Sequence, residues 1–229
     1  MNDQLRYEVK FVLNERELNH AMIWLNIMGA KKAFPNRKVN SLYFDNIAQE
    51  AIQHNLAGIS NRNKVRLRWY GDNSSSNSET NLEIKFREGR LGYKMKHPIY
   101  KKMINIHDQY IFKISNQIFK EINSSCLNHS VFNDYLVPML MVKYVRKYFE
   151  IMNGIRITID DKIQFYDVIK NIKLNLVRPL NYPQHVVEIK FSKKYKKKVS
   201  DLLRPTLLTP RRHSKYLVGL AKLGYISYI

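Results

Sequence analysis

Lys64–Trp69 reads KVRLRW, with Lys64, Arg66 and Arg68 on one parity and Val65, Leu67 and Trp69 on the other. Successive side chains of a β-strand point to opposite faces of its sheet. The stretch therefore predicts a strand with a cationic face and an apolar face. The same alternation recurs on either side. Arg6, Glu8 and Lys10 alternate with Tyr7, Val9 and Phe11, and Glu83, Lys85 and Arg87 alternate with Leu82, Ile84 and Phe86. Glu188 and Lys190 alternate with Val187, Ile189 and Phe191. Lys94 with Lys96, Tyr144 with Arg146, and Arg156 with Thr158 and Asp160 complete seven such stretches. One of them alone describes any solvent-facing strand. Seven, mostly cationic with a few glutamates, predict a sheet closed around a charged interior, and such an interior calls for a polyanion.

Composition points the same way. The 229 residues carry 39 Lys plus Arg against 19 Asp plus Glu, a net charge of +20. Charge of that size opposes compaction by self-repulsion and implies an anionic partner: nucleic acid, an anionic membrane surface or a polyphosphate. An apolar content of 45% is that of a folded chain with a core, and excludes a disordered one. Cys126 is the only cysteine, which excludes an intrachain disulfide and gives no sign of an oxidising compartment. It lies beside Ser124 and Ser125 with no base pattern, and reads as inert. The start, MNDQLRYEVKF, has no signal-peptide stretch, and no run approaches the ~20 apolar residues of a membrane span. These features read as a soluble, cytoplasmic protein.

The pattern along the chain is α+β, with antiparallel strands in the majority. Strands are predicted at 5–13, 39–45, 63–71, 80–88, 91–99, 139–150, 155–161, 163–168, 172–178 and 184–192. Asn14 followed by Glu17 marks a capping box at the start of a helix that runs to about Met28, with Gly29 as its C′ residue. A short helix is predicted near 47–56. Ile106, Tyr110, Ile114, Ile118 and Ile122 recur at fourfold spacing, which predicts an amphipathic helix over 106–124. Helices to about Leu203 and from His213 to Leu223 close the chain, and GDNSSSNSE (71–79) reads as a polar hairpin tip. No Pro-, Gly- or Ser-rich linker divides the chain, so residues 1–229 read as a single domain.

An antiparallel barrel of about eight strands has an interior just wide enough for side chains or one small ligand. Like charges ~4 Å apart repel by about 4 kcal/mol at an effective dielectric near 20, so a cation-lined lumen must hold water or anions. Arginine suits bidentate phosphate contact and lysine a point-charge contact. Glu8, Glu83 and Glu188 pair with the lysine two residues on, or hold Mg2+ or Mn2+ against phosphate oxygens. Such a site performs phosphoryl transfer by positioning and charge neutralisation, without a protein nucleophile. Asp160 and Asp161 read equally as a turn cap or as metal contacts. Tyr43 and Tyr70 read as packing residues with a polar tip or as ligand contacts, and the Lys193–Lys198 run as a solvated patch or as a path for a polyphosphate chain leaving the interior. The histidines show no metal-ligand spacing.

The ordered set RYEVKF, NSLYFDN, KVRLRWYG, LEIKFREG, KMKHPI, VKYVRKYFE, RITIDDKI, VVEIKF and RRHSKYLVGL, from about residue 5 to 222, resembles the catalytic domain of the vacuolar transporter chaperone (VTC) polyphosphate polymerases. These belong to the wider triphosphate tunnel metalloenzyme, or CYTH-like, group. The resemblance implies a closed or nearly closed tunnel barrel with flanking helices that acts on ATP, triphosphate or polyphosphate with a divalent metal. It implies Lys10, Arg66, Arg68 and Lys190 as catalytic cations. Lys85, Lys94, Lys96, Arg146, Arg156, Ser214 and Lys215 become further contacts to the phosphate chain. Glu188 is the implied metal ligand, with Glu8 and Glu83 the other candidate carboxylates. One departure bears on the reaction. Hydrolytic members open with Glu-x-Glu-x-Lys, and here Arg6 stands at the first glutamate while Glu8 keeps the second. Losing a carboxylate that would orient water favours a polymerase over a triphosphatase. A polyanion-binding module without catalysis, for polyphosphate or nucleic acid, is the alternative from another class.

Overall fold

The computed structural model describes residues 6–71, 80–89, 91–99, 110–124, 134–152, 154–170, 173, 176–206 and 208–227, with the side chains of Arg6, Leu91, Asn123 and Ser124 outside that set. The expected hairpin tip at 72–79, the expected helix start at 106–109 and Cys126 lie outside the described residues.

The elements follow as β1 (Arg6–Leu13), α1 (Glu15–Ile27), β2 (Lys31–Asn46), α2 (Glu50–Leu56), β3 (Arg62–Tyr70), β4 (Thr80–Glu88) and β5 (Leu91–Ile99). Then come α3 (Ile111–Ser124), β6 (Leu136–Ile151), β7 (Ile155–Asp167), β8 (Leu180–Tyr182), β9 (His185–Ser192), α4 (Lys196–Leu203) and α5 (Lys215–Lys222). This is an α+β fold on one sheet of order β1-β9-β7-β6-β2-β3-β4-β5, with β8 paired to β7. The registers of β1 and β7 with β9, and of β2, β3, β4 and β5 in succession, are antiparallel. Pairing among the described residues runs as an open path from β1 to β5, and does not show the closed barrel expected from sequence.

The chain falls into two compact units. The first comprises Met1–Lys38, Tyr144–Ile163 and Asn181–Ser214. Its core consumes the apolar parity of the alternating strands: Phe11, Ile157, Ile159, Val187, Ile189 and Phe191 pack with Leu18, Ala21 and Leu25 of α1 and Val199 of α4. The capping box forms as the sequence predicts, with Glu17 N donating to Asn14 Oδ1 at 2.9 Å and Asn14 N donating to Glu17 Oε2 at 2.8 Å. Gly29 ends α1 with φ +66°, a conformation that glycine adopts without strain. Trp24 Nε1 donates to Leu202 O at 3.1 Å and ties α1 to the end of α4.

The second unit comprises Val39–Lys143, Gln164–Leu180 and Lys215–Ile229. Ile111, Ile114, Ile118 and Ile122 of α3 cover Leu42, Phe44, Val65, Leu67, Trp69, Leu82 and Ile84, the apolar parity of β2, β3 and β4. In α5, Tyr216, Leu217, Gly219 and Leu220 are buried. Gly219 lies close enough that an added Cβ would stand 2.5 Å from Leu140 Cδ2 and 2.7 Å from Phe165 Cδ1.

The structure corrects three boundaries. β2 begins at Lys31 rather than 39; its first eight residues are almost all exposed, so no face of them is apolar enough to signal a strand. The two strands expected at 155–161 and 163–168 are one, β7, in which the chain passes through a left-handed Lys162 (φ 51°) whose N–H donates to Asp161 Oδ1 at 2.7 Å. No strand forms at 172–178 among the described residues. Lys173 makes only an isolated bridge to Tyr110, and Leu176 is 70% exposed. Residues 172, 174 and 175 of that expected strand lie outside the described residues.

Gly219→Val is predicted to destabilise the protein by about 1–3 kcal/mol, the usual cost of overpacking a filled core. Urea denaturation reads it, and an unchanged midpoint with an unchanged m-value would contradict this account of α5.

Candidate anion-binding site

In the first unit the polar parity of β1, β9 and β7 forms one charged face. Register places Lys10 opposite Glu188 and Glu188 opposite Thr158, with Glu8 opposite Lys190 and Lys190 opposite Arg156 in the next row. Directly opposed residues of antiparallel strands share a face at close range. The ammonium of Lys10 lies 2.8 Å from Glu8 Oε1 and 3.7 Å from Glu188 Oε2, and Lys190 Nζ is ion-paired with Glu188 Oε1. Burial pushes the Glu188 carboxyl up, but Lys190, Lys10 and Arg146 outweigh it and hold the group well below the ordinary range. Arg146 forks onto Asp160, with Nε donating to Oδ1 at 2.5 Å and Nη2 to Oδ2 at 2.8 Å. Burial disfavours its charge, yet Asp160 outweighs burial and raises Arg146 well above its ordinary pKa. Asp161 instead meets the Lys162 N–H, Lys147 at 3.4 Å and His185 at 3.1 Å.

The segment before α5 lies along β1. Arg211 N donates to Lys10 O at 2.9 Å, and Lys10 Nζ donates to His213 O at 3.2 Å. This lateral contact covers part of an edge strand. It also brings Arg211 and Arg212, which the alternation of strands could not flag, to the same neighbourhood as Lys10.

In the second unit the polar parity of β3, β4 and β5 is mostly cationic. One row runs Ser41–Arg68–Asn81, the next Tyr43–Arg66–Glu83–Lys96, and the third Lys64–Lys85–Lys94. Three lysines thus stand directly opposite one another, an arrangement that repulsion disfavours. Lys64, Arg66, Arg68, Lys85, Lys94 and Lys96 share this face with the carboxylate of Glu83. Glu83 is only 2% exposed. Arg66 donates to it from Nε at 2.9 Å and Nη2 at 2.6 Å, and Lys94 donates at 3.0 Å, with Arg68 Nη1 at 3.7 Å. Burial pushes Glu83 up; Arg66, Arg68 and Lys94 overcome it and bring the carboxyl from 4.5 to about 2. Burial lowers the Lys94 ammonium, and Glu83 only partly restores it against Lys96 and Arg66.

Two neutral groups of this face hold its arginines; Ser41 is not read from sequence as a site component, and Tyr43 is read as packing or ligand contact. Ser41 Oγ accepts from Arg68 Nε at 3.1 Å and Nη2 at 2.9 Å. Tyr43 accepts from Arg66 Nη1 at 3.2 Å and stacks on Tyr216 of α5 with ring centroids 4.9 Å apart. Burial would raise the Tyr43 phenol, but Arg66, Arg68 and Lys215 outweigh it and lower its pKa. That electrostatic influence puts Lys215, the first residue of α5, within the field of the site; Ser214 precedes it and is half-buried. Asp45 is occupied otherwise: its carboxylate accepts from the N–H groups of Asn46, Ala51 and Ile52 and anchors α2.

Among the described residues no group of three or more His, Cys, Asp or Glu could hold a metal ion. Glu8 and Glu188 do converge, since one ammonium, that of Lys10, lies near both. Thr158, opposite Glu188, has a buried hydroxyl with no hydrogen-bond partner among the described residues. Two carboxylates and an unsatisfied hydroxyl fit Mg2+ or Mn2+, which takes its remaining ligands from substrate phosphates and water.

A sheet whose two faces are so divided, apolar under helices and cationic around buried carboxylates, defines an α+β protein with a candidate anion site. A family model described as the VTC domain matches residues 5–224, and the chain belongs to that family. No curated protein matches it. Among solved structures, a candidate adenylyl cyclase of Hippeastrum, described as having a dominant triphosphatase activity, is similar at TM-score 0.56 and 12% identity over 97% of both chains. A protein of Pyrococcus horikoshii OT3 is similar at TM-score 0.55 and 13% identity, covering 95% of this chain and 99% of its own. A candidate adenylate cyclase of Vibrio parahaemolyticus is similar at TM-score 0.55 and 12% identity, covering 95% of this chain and 98% of its own. At these identities the likeness is one of fold. No helix among the described residues is long and apolar enough to cross a membrane.

The depressed carboxyl of Glu83 has a pH signature. A group with a folded-state pKa of about 2 against 4.5 adds stability that is fully present above 4.5 and is lost as pH falls through 2. Glu83→Gln is predicted to flatten the stability profile between these values, removing a dependence of order 3 kcal/mol. Denaturant titrations at stepped pH measure it; a variant profile parallel to wild type would contradict the assignment.

Proposed function

We propose that the protein binds a nucleoside triphosphate or inorganic polyphosphate with a divalent cation and transfers phosphoryl groups, in the manner of a polyphosphate polymerase. The observation that carries this is the cationic face of β3, β4 and β5, where the buried Glu83 carboxylate lies among Lys64, Arg66, Arg68, Lys85, Lys94 and Lys96. Cations packed so closely call for a linear, densely charged ligand. Membership of the VTC family supports the same class of ligand.

In this reading residues 1–229 act as one cytoplasmic domain, and the sheet closes or nearly closes into a tunnel lined by its charged faces. Arg66, Arg68, Lys10 and Lys190 hold the reacting phosphates, and Lys85, Lys94, Lys96, Arg146, Arg156, Ser214 and Lys215 hold the rest of the chain. Glu83 and Asp160 are positioning residues: each fixes arginine heads that would otherwise swing. Glu188 with Glu8 holds Mg2+ or Mn2+, which when bound supplies neutralisation of phosphate charge. An oxygen of the acceptor's terminal phosphate attacks the terminal phosphorus of ATP in line. The bond from that phosphorus to the bridging oxygen breaks, ADP leaves, and the chain is one phosphate longer. The guanidinium and ammonium groups stabilise the equatorial oxygens throughout, a role that needs no protein nucleophile.

Hydrolysis of triphosphate, with water as acceptor, is the second reading, favoured by the activity described for the Hippeastrum relative. Nucleic acid as ligand is less well supported, because Phe11, Trp69 and Phe191 lie buried on the opposite parity to the cations and offer no platform for bases.

With ATP and Mn2+ or Mg2+, the wild type is expected to lengthen polyphosphate, read by gel chain-length analysis alongside phosphate release. Glu188→Gln is expected to lose turnover while keeping tripolyphosphate affinity within about threefold, since Lys190 and Lys10 remain. Arg66→Gln is expected to weaken tripolyphosphate binding by tenfold or more, as one charge-assisted contact contributes about 1.5–3 kcal/mol. Turnover of Glu188→Gln equal to wild type at the same metal concentration would remove Glu188 from the metal site. Binding without turnover in the wild type would leave the non-catalytic module.

A further inference from the structure

β9 carries the charged face of the first unit to its end and then continues into the most basic stretch of the chain. After Lys190 and Ser192 come Lys193, Lys194, Lys196, Lys197 and Lys198, and all five lysines are exposed. Their backbone is ordered: a turn of 3-10 helix over Lys193–Tyr195 leads directly into α4. Strand geometry separates Lys190 from Lys193 by only about 10 Å. A chain-like anion held at Lys190 and Arg156 therefore meets the lysine run next.

Two other polyanionic surfaces can be set aside from what surrounds the run. A membrane surface needs apolar side chains to insert beside the lysines. The apolar residues of α4, Val199, Leu202 and Leu203, instead join the first unit's core. Single-stranded nucleic acid needs open aromatic faces for its bases. Tyr7 is stacked on Phe191 at 5.6 Å, with Lys196 5.8 Å from its ring centroid, and Lys194 lies 5.0 Å from the centroid of the Tyr195 ring. The five exposed ammonium groups suit a backbone that is all phosphate.

We propose that the Lys193–Lys198 run is a docking surface for inorganic polyphosphate longer than the charged face can hold, adding affinity for long chains over triphosphate. This rests on the phosphate-binding function proposed above and extends it to chain-length selectivity.

The test uses the full chain and the triple substitution Lys193→Gln/Lys197→Gln/Lys198→Gln, which leaves Lys194 and Lys196 on their tyrosine rings. Affinities for tripolyphosphate and for polyphosphate of about 100 phosphates are measured by titration calorimetry at several salt concentrations. The wild type is expected to favour the long chain by tenfold or more. In the triple variant that advantage should fall at least threefold and the salt slope by about two, with tripolyphosphate affinity and melting temperature unchanged. The corresponding triple Lys→Arg variant should keep the advantage. An unchanged chain-length ratio in the Gln variant, with tripolyphosphate still bound, overturns this proposal alone. Wild type that binds neither ligand overturns the functional reading as well. Tighter binding of an oligouridylate of matched phosphate number, or of phosphatidylserine vesicles, through the same three lysines overturns the assignment to polyphosphate.

Discussion

A buried carboxylate held by three cations is the contact on which the second unit's charged face depends. Arg66, Lys94 and Arg68 all converge on Glu83, which stays ionised because they surround it. Without that charge the two guanidinium groups and the ammonium would repel one another with no internal counter-ion, and breaking a buried pair is among the costlier changes a protein can suffer. With it, the heads of Arg66, Arg68 and Lys94 are pinned in place. Ser41 fixes Arg68 and Tyr43 fixes Arg66 in the same way, through neutral oxygens that orient a guanidinium without discharging it. The effect is preorganisation: the heads are placed before an anion arrives.

The first unit solves the same problem differently. Its cations are nearly matched by carboxylates, with Glu8, Glu188 and Asp160 set against Lys10, Lys190, Arg146 and the exposed Arg156. Balanced charge of this kind suits a shared cation and a phosphate better than it suits an anion alone. The two faces are therefore chemically unlike: one gathers arginines and lysines around the buried Glu83, the other is a lattice of ion pairs.

Much of this was legible because a strand's period of two leaves little freedom. Once Val65, Leu67 and Trp69 are buried, Lys64, Arg66 and Arg68 must take the other face, and the same holds for β4 and β9. The capping box at Asn14 and Glu17 and the isoleucine stripe of α3 were readable for the same reason: each rests on residues at most four apart. Long-range partners were not. Nothing near Asp160 in sequence says that its carboxylate pairs with Arg146, fourteen positions away on another strand.

The sequence by itself determined which side chains share a face, that the faces are cationic, and which family the chain resembles, because alternation and local spacing carry that information. Only the tertiary structure decided the register that opposes Lys64, Lys85 and Lys94, the convergence on Glu83, and the placement of Arg211 and His213 against Lys10. It also decided that β2 extends back to Lys31 and that 172–178 forms no strand among the described residues. A strand exists only where a neighbour completes its hydrogen bonds, and the identity of that neighbour is a property of the whole chain.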